Sequence, residues 1–83
     1  MKKPINEIPG TIAYILDQNR DDLFDLINQN RIKEARQKAL TLIHDESIKD
    51  KQAVHIANQA LSRPNDTLFL SVLMSYMTGL TVS

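Results

Sequence analysis

The chain has 83 residues and a formal net charge of zero at neutral pH, because ten Lys and Arg are balanced by ten Asp and Glu. This length allows one small domain, and the charge balance provides no overall field to attract nucleic acid or an anionic membrane. The chain contains no Cys, which excludes disulfide bonds, thiol catalysis and Cys-based zinc sites.

Residues 1–10 are predicted to form an arm, because Pro4, Pro9 and Gly10 interrupt any regular element. The arm lacks the continuous apolar run of a signal peptide. No run in the sequence approaches the roughly 20 apolar residues of a membrane-spanning helix. The sequence therefore predicts a cytoplasmic protein with one domain over residues 11–83, and its Ile-, Asn-, Gln- and Lys-rich composition is typical of bacterial or phage genes.

Helical spacing of apolar residues begins after Thr11, a residue type that caps helices well. The spacing fits either one helix over 12–28 or two short helices broken near residue 20, and a turn is predicted over 28–30. A further helix then presents one apolar face, composed of Ile32, Ala35, Ala39, Leu42 and Ile43. We expect this helix to end at His44-Asp45-Glu46.

Ser47 and Asp50 have the spacing of a capping box with a shortened acid, and they predict the start of another helix. The residues expected to face inward from it are Ala53, Ile56, Ala57, Ala60 and Leu61. Pro64 ends this helix, one of Asn65, Asp66 or Thr67 caps the last one, and Gly79 suits its C-terminal end. No alternating strand pattern competes, so the sequence predicts an all-α fold, a small antiparallel bundle of about four helices.

The last helix is unusually apolar. Of the eleven residues 68–78, eight are apolar, and no charged residue follows Asp66. The three exceptions, Ser71, Ser75 and Thr78, form one narrow stripe at helical spacing. This composition would suit a central helix that is surrounded by the other three helices.

A second interpretation of this helix makes it an interface. It assigns four residues to the internal core: Phe69, Leu73, Tyr76 and Leu80. Leu70, Met74 and Met77 then lie outside the core, where they can contact a second copy or another protein. The small size of the domain favours this interpretation slightly, because three short helices have little surface with which to cover a fourth.

The sequence offers no catalytic constellation. His44, Asp45 and Glu46 are adjacent in the chain and cannot converge on one metal ion, and a His at a helix end has a plain role beside the helix dipole. The other histidine, His55, has no evident partner. Because there is also no Gly-rich phosphate loop and no nucleophile elbow, we predict no enzyme activity, no cofactor, no metal site and no small-molecule substrate.

The best-supported function is a small protein-interaction module, acting as a regulator, inhibitor or accessory subunit, alone or as a homodimer. The residues predicted to bind the partner are Leu70, Met74 and Met77, with Tyr76 at the rim. The alternative is a small DNA-binding or replication-accessory protein that uses a basic segment, composed of Arg31, Lys33, Arg36 and Lys38. A weaker alternative is a helical bundle that gives immunity to a toxin or bacteriocin.

Overall fold

A computed structural model describes residues 5–78 of the chain. Within that range the chain is all-helical and has no strand. It forms a short 3-10 turn, Ile5–Glu7, and five α-helices: α1 (Ile12–Gln18), α2 (Arg20–Asn28), α3 (Ile32–Ile43), α4 (Lys51–Leu61) and α5 (Asp66–Met77). The predicted all-α class is confirmed, with five α-helices instead of about four. The predicted role of Gly79 lies outside the described residues.

The additional helix arises because the segment 12–28 is broken at Asn19, one of the two arrangements that its spacing allowed. The backbone of Asn19 leaves helical geometry, with φ −110° and ψ 17°. Its side-chain amide donates a hydrogen bond of 2.8 Å to the carbonyl of Ile15, and so satisfies a carbonyl of the last turn of α1. At the other end of α1, the predicted cap Thr11 accepts a hydrogen bond from the Tyr14 N–H.

The predicted capping box between α3 and α4 is wrong in its position. The N-cap of α4 is Asp50, whose carboxylate accepts the N–H of Ala53 at 3.1 Å. Ser47 instead donates its backbone N–H to Oδ1 of Asp45 at 2.7 Å. This bond and one from the Ser47 side chain hold the pKa of Asp45 below its ordinary value. Ser47 therefore belongs to a loop turn and does not start the helix.

We expect Asp50→Ala to lower the free energy of unfolding by about 1 kcal/mol, because it leaves an N-terminal N–H of α4 without a side-chain acceptor. Asp50→Asn keeps an oxygen in the same place and should change stability much less. Urea denaturation followed by circular dichroism measures both. An equal loss of stability in the two variants would contradict the capping role.

α1 lies at the centre of the fold. It packs against all four other helices and the 3-10 turn, and only Gln18 among its residues is exposed. The core around α1 is formed by Ile12, Leu16, Leu23, Ala35, Ala39, Ile43, Ile48, Val54, Ala57, Leu61, Phe69, Leu73 and Met77. The last helix, α5, is therefore not the central helix of the described chain.

One inward-facing residue predicted for α4 is wrong. Ile56 is 55% exposed, whereas Val54, which the spacing did not select, is only 6% exposed. The buried face of α4 is set by Val54, Ala57 and Leu61, and Ile56 lies too far round the helix to share that face. An exposed aliphatic side chain therefore remains on α4.

Candidate functional site

Among the described residues, α5 is covered on one side only. It packs against α1, α4 and the 3-10 turn, and it buries Phe69, Leu73 and Met77. The 3-10 turn also reaches the end of α5, where the side-chain amide of Asn6 donates a hydrogen bond of 3.2 Å to the Met77 carbonyl. No element within residues 5–78 packs on the far side of α5 to the same extent.

The placement of Met77 outside the core is wrong, since its side chain is only 3% exposed. Phe69, Leu73 and Met77 are spaced by four residues and so share one face of the helix. Tyr76, which was expected in the core with Leu80, is half-buried. Leu80 lies outside the described residues.

The uncovered side of α5 is referred to here as the outer face. It is a shallow depression lined by Thr67, Leu70, Ser71, Met74, Ser75 and Thr78. None of these residues carries a charge. Met74 is 42% exposed and Leu70 is half-buried, so two of the predicted partner-binding residues lie on this face. The hydroxyl stripe predicted from the sequence runs along it and is exposed.

Tyr76 belongs to a different surface, which we call the Ile56 groove. It has a volume of about 270 Å³ and lies where the start of α1, the loop before α4, α4 and α5 meet. Apolar groups of Ile12, Ala13, Ile48, Ala53, Ile56 and Tyr76 line it. Partial burial raises the pKa of the Tyr76 hydroxyl above its ordinary value.

The basic segment of α3 is largely neutralised by ion pairs. Arg31 pairs with Glu34, and Nζ of Lys38 lies 4.0 Å from the carboxylate of Asp22. Arg36 pairs with Asp66, as described next. Of the four basic residues in this segment, Lys33 alone has no ion pair with the described residues, and the other three each have a carboxylate within 4.0 Å.

Arg36 is a structural residue that joins α3 to α5. Its Nη2 lies 2.8 Å from Oδ1 of Asp66, and its guanidinium carbon lies 5.0 Å from the centre of the Phe69 ring. The Arg36 side chain is only 13% exposed. A guanidinium at this distance is attracted to the face of the aromatic ring.

We expect Arg36→Ala to lower the free energy of unfolding by about 1 to 2 kcal/mol, because it removes the cation over the Phe69 ring and uncovers the ring. Asp66→Asn should cost less than about 1 kcal/mol, because the Asp66 side chain is 58% exposed and exposed ion pairs contribute little. Thermal unfolding of the two variants tests this order. A loss for Arg36→Ala no larger than that for Asp66→Asn would contradict the role of the ring contact, because Arg36→Ala removes the ion pair as well as that contact.

The histidines do not form a site. Nε2 of His44 lies 3.1 Å from Oδ1 of Asn58, which ties the end of α3 to α4, and His55 is exposed. Residues 5–78 contain no group of three or more His, Asp or Glu side chains placed to hold a metal ion. In the same range, no helix combines the length and the apolar character needed to cross a membrane.

Comparison with protein-family models, with curated proteins and with solved structures finds no match to the chain. Two surfaces of the described chain expose apolar side chains: the outer face of α5 and the Ile56 groove. Sequence reasoning found the hydroxyl stripe and placed Leu70 and Met74 on the exposed side of α5, but it also placed the buried Met77 there. It missed the Ile56 groove, because the loop between α3 and α4 and the start of α1 complete that groove, and neither is visible as a pattern in α4.

Proposed function

We propose that this chain is a small non-enzymatic protein-interaction module, which acts in the cytoplasm as a regulator, inhibitor or accessory subunit. It docks onto an apolar surface of another protein through the outer face of α5, and its scaffold is a compact antiparallel bundle. The observation that carries the proposal is an uncharged helix face on which Met74 is 42% exposed. Exposed apolar surface of this kind is typical of sites that another molecule covers.

The chemistry of the outer face defines the partner. Burying a charged group without a counter-ion is costly, so a face without charges is suited to an apolar partner surface. Leu70 and Met74 supply apolar contact area, and methionine adapts its shape to a partner. The hydroxyls of Ser71 and Ser75 are exposed, and each can donate and accept a hydrogen bond at an interface.

The size of the outer face favours a limited contact. A helix of 12 residues is about 18 Å long. One face of such a helix is smaller than the roughly 800 Å² that each partner buries in a standard interface. A regulator or accessory subunit that binds reversibly is consistent with this area, and a permanent homodimer held by α5 alone is not.

We expect Met74→Asp to abolish capture of the partner, because it would bury a carboxylate in an apolar interface. The measurement is affinity capture from the source cells at moderate salt, with and without nuclease treatment. Ile8→Asp is the matched control, because Ile8 is also 42% exposed but lies outside α5. The proposal predicts one stoichiometric protein with the wild type and with Ile8→Asp, and none with Met74→Asp.

Two outcomes of this experiment would contradict the proposal. Equal capture by the wild type and by Met74→Asp would show that the outer face is not the docking surface. Loss of every partner on nuclease treatment would favour the basic segment of α3, and binding that weakens steeply with salt would support that alternative.

A further inference from the structure

The Ile56 groove is a second surface, separate from the outer face of α5. Ile12, Ala13 and Ile48 are buried and form its floor, while Ala53 and Tyr76 are half-buried at its sides. Ile56 stands at the edge with 55% of its surface exposed. Rotation about χ1 is restricted in a β-branched side chain, so Ile56 keeps its apolar side chain at the edge of the groove.

We propose that this groove binds one aliphatic side chain of a partner protein, at a position where a Lys or Arg lies next to that side chain in the partner's sequence. The inference rests on the proposed function only in taking the ligand to be a protein segment. It assigns a different surface from the outer face and adds a sequence preference.

The groove has the room and the lining for one aliphatic side chain. Its volume of about 270 Å³ is at the lower end of the roughly 300 to 1,000 Å³ of small-molecule sites, so the lining and not the volume indicates the occupant. Its lining is apolar apart from a few polar atoms at the rim. A leucine or isoleucine side chain gains free energy by leaving water for such a lining, and the peptide that carries it remains outside.

The charge at the rim of the groove indicates which type of residue stands next to the anchoring side chain in the partner's sequence. Among the described residues that line the groove, Asp50 is the one with a charged side chain. Its carboxylate caps α4 through the N–H of Ala53, and an ionised carboxylate can accept further hydrogen bonds. The adjacent Lys51 is not among the residues that line the groove, and its ammonium donates to the Ile48 carbonyl at 2.9 Å. A cation beside the anchoring side chain therefore meets an opposite charge.

The test is a titration of the labelled full chain with short peptides, followed by amide nitrogen–proton NMR spectra. The probe is N-acetyl-Leu-Lys-amide, compared with N-acetyl-Leu-Glu-amide and N-acetyl-Ala-Lys-amide. We expect weak binding in the millimolar range, with shifts confined to amides that line the groove, such as those of Ala13, Ile48 and Ala53. The Lys peptide should bind about two- to fivefold more tightly than the Glu peptide, as for an exposed ion pair.

Two variants separate the apolar and the electrostatic parts of the proposal. Asp50→Asn keeps the cap of α4, and it should remove the preference for Lys over Glu while leucine still binds. Ile56→Ser should weaken both leucine peptides, and the dispersion of the remaining signals reports that the variant is folded. Met74→Asp should bind the peptides as the wild type does, so failure of this proposal and failure of the proposed function are distinguishable.

Three results would overturn the proposal. They are the absence of shifts up to the solubility limit of the Leu-Lys peptide, equal shifts with the alanine and leucine peptides, and a Lys preference that persists in Asp50→Asn. Shifts that fall on the outer face of α5 instead of the groove would also overturn it, because they would assign the anchor to the other surface.

Discussion

Phe69→Ala is expected to lower the free energy of unfolding by about 3 to 5 kcal/mol, the usual range for removing a buried aromatic ring. Phe69 is completely buried, and the guanidinium of Arg36 lies over its ring. The ring therefore contributes both apolar burial and the contact between α5 and α3. Its removal leaves a cavity beside α5 and an uncovered guanidinium.

The size of this effect matters because the domain is small. At roughly 0.05 to 0.15 kcal/mol per residue, a chain of 83 residues has about 4 to 12 kcal/mol of stability. Urea denaturation at 25 °C measures the loss, and Leu68→Ala is the control because Leu68 is adjacent in sequence and 43% exposed. Equal losses in the two variants, or a loss under about 1 kcal/mol for Phe69→Ala, would contradict the assigned core.

Met77→Asp is expected to unfold the domain, whereas Met74→Asp should leave it folded. Met77 is 3% exposed and Met74 is 42% exposed, although the two residues lie in the same helix. A carboxylate at position 77 would be buried without a counter-ion, which costs several kcal/mol. At position 74 it remains in water, and its unfavourable interaction with the C-terminal half of the helix dipole costs about 1 kcal/mol at most.

Circular dichroism and thermal unfolding of the two methionine variants measure this difference. The expected result is a lost helical spectrum for Met77→Asp and a cooperative transition for Met74→Asp. If Met77→Asp folds, the Met77 side chain is exposed, as the sequence predicted, and is not part of the core. An unfolded Met74→Asp would show that the outer face is covered within the domain and would remove the basis of the proposed docking surface.

The helices were predictable because their signals are local. Thr11 and Asn65 cap their helices through hydrogen bonds to N–H groups three residues ahead. The turn over 28–30 needed a residue that tolerates positive φ, and Asn30 adopts φ 63° as asparagine does more readily than most residues. Such preferences act within a few residues, so one sequence is enough to detect them.

The residues predicted to be buried were wrong where tertiary packing decides which face of a helix meets the core. Val54 and Ile56 are both aliphatic, and the choice between them depends on how α4 meets α1, α3 and α5. Met77 presents the same difficulty in α5, where most positions are apolar and several faces could meet the core. The one polar signal is the stripe of Ser71, Ser75 and Thr78, and helical spacing places Met77 on the opposite side with Phe69 and Leu73.

The two surfaces beside α5 differ in how far the sequence disclosed them. The outer face carries the stripe of Ser71, Ser75 and Thr78, which helical spacing discloses in the sequence. The Ile56 groove depends on Ile48, in the loop between α3 and α4, meeting Ile12 at the start of α1. Because these two residues are far apart in the sequence, only the folded chain shows that they line one groove.

The most direct test of the proposed function is site-specific photo-crosslinking in the cells that produce the chain. A benzophenone amino acid replaces Ser71, at the centre of the outer face, or Lys33, which is exposed on the basic segment of α3. The account predicts an adduct with one defined protein from position 71 and no nucleic-acid adduct from position 33. Adducts with nucleic acid at position 33, together with none at position 71, would contradict it.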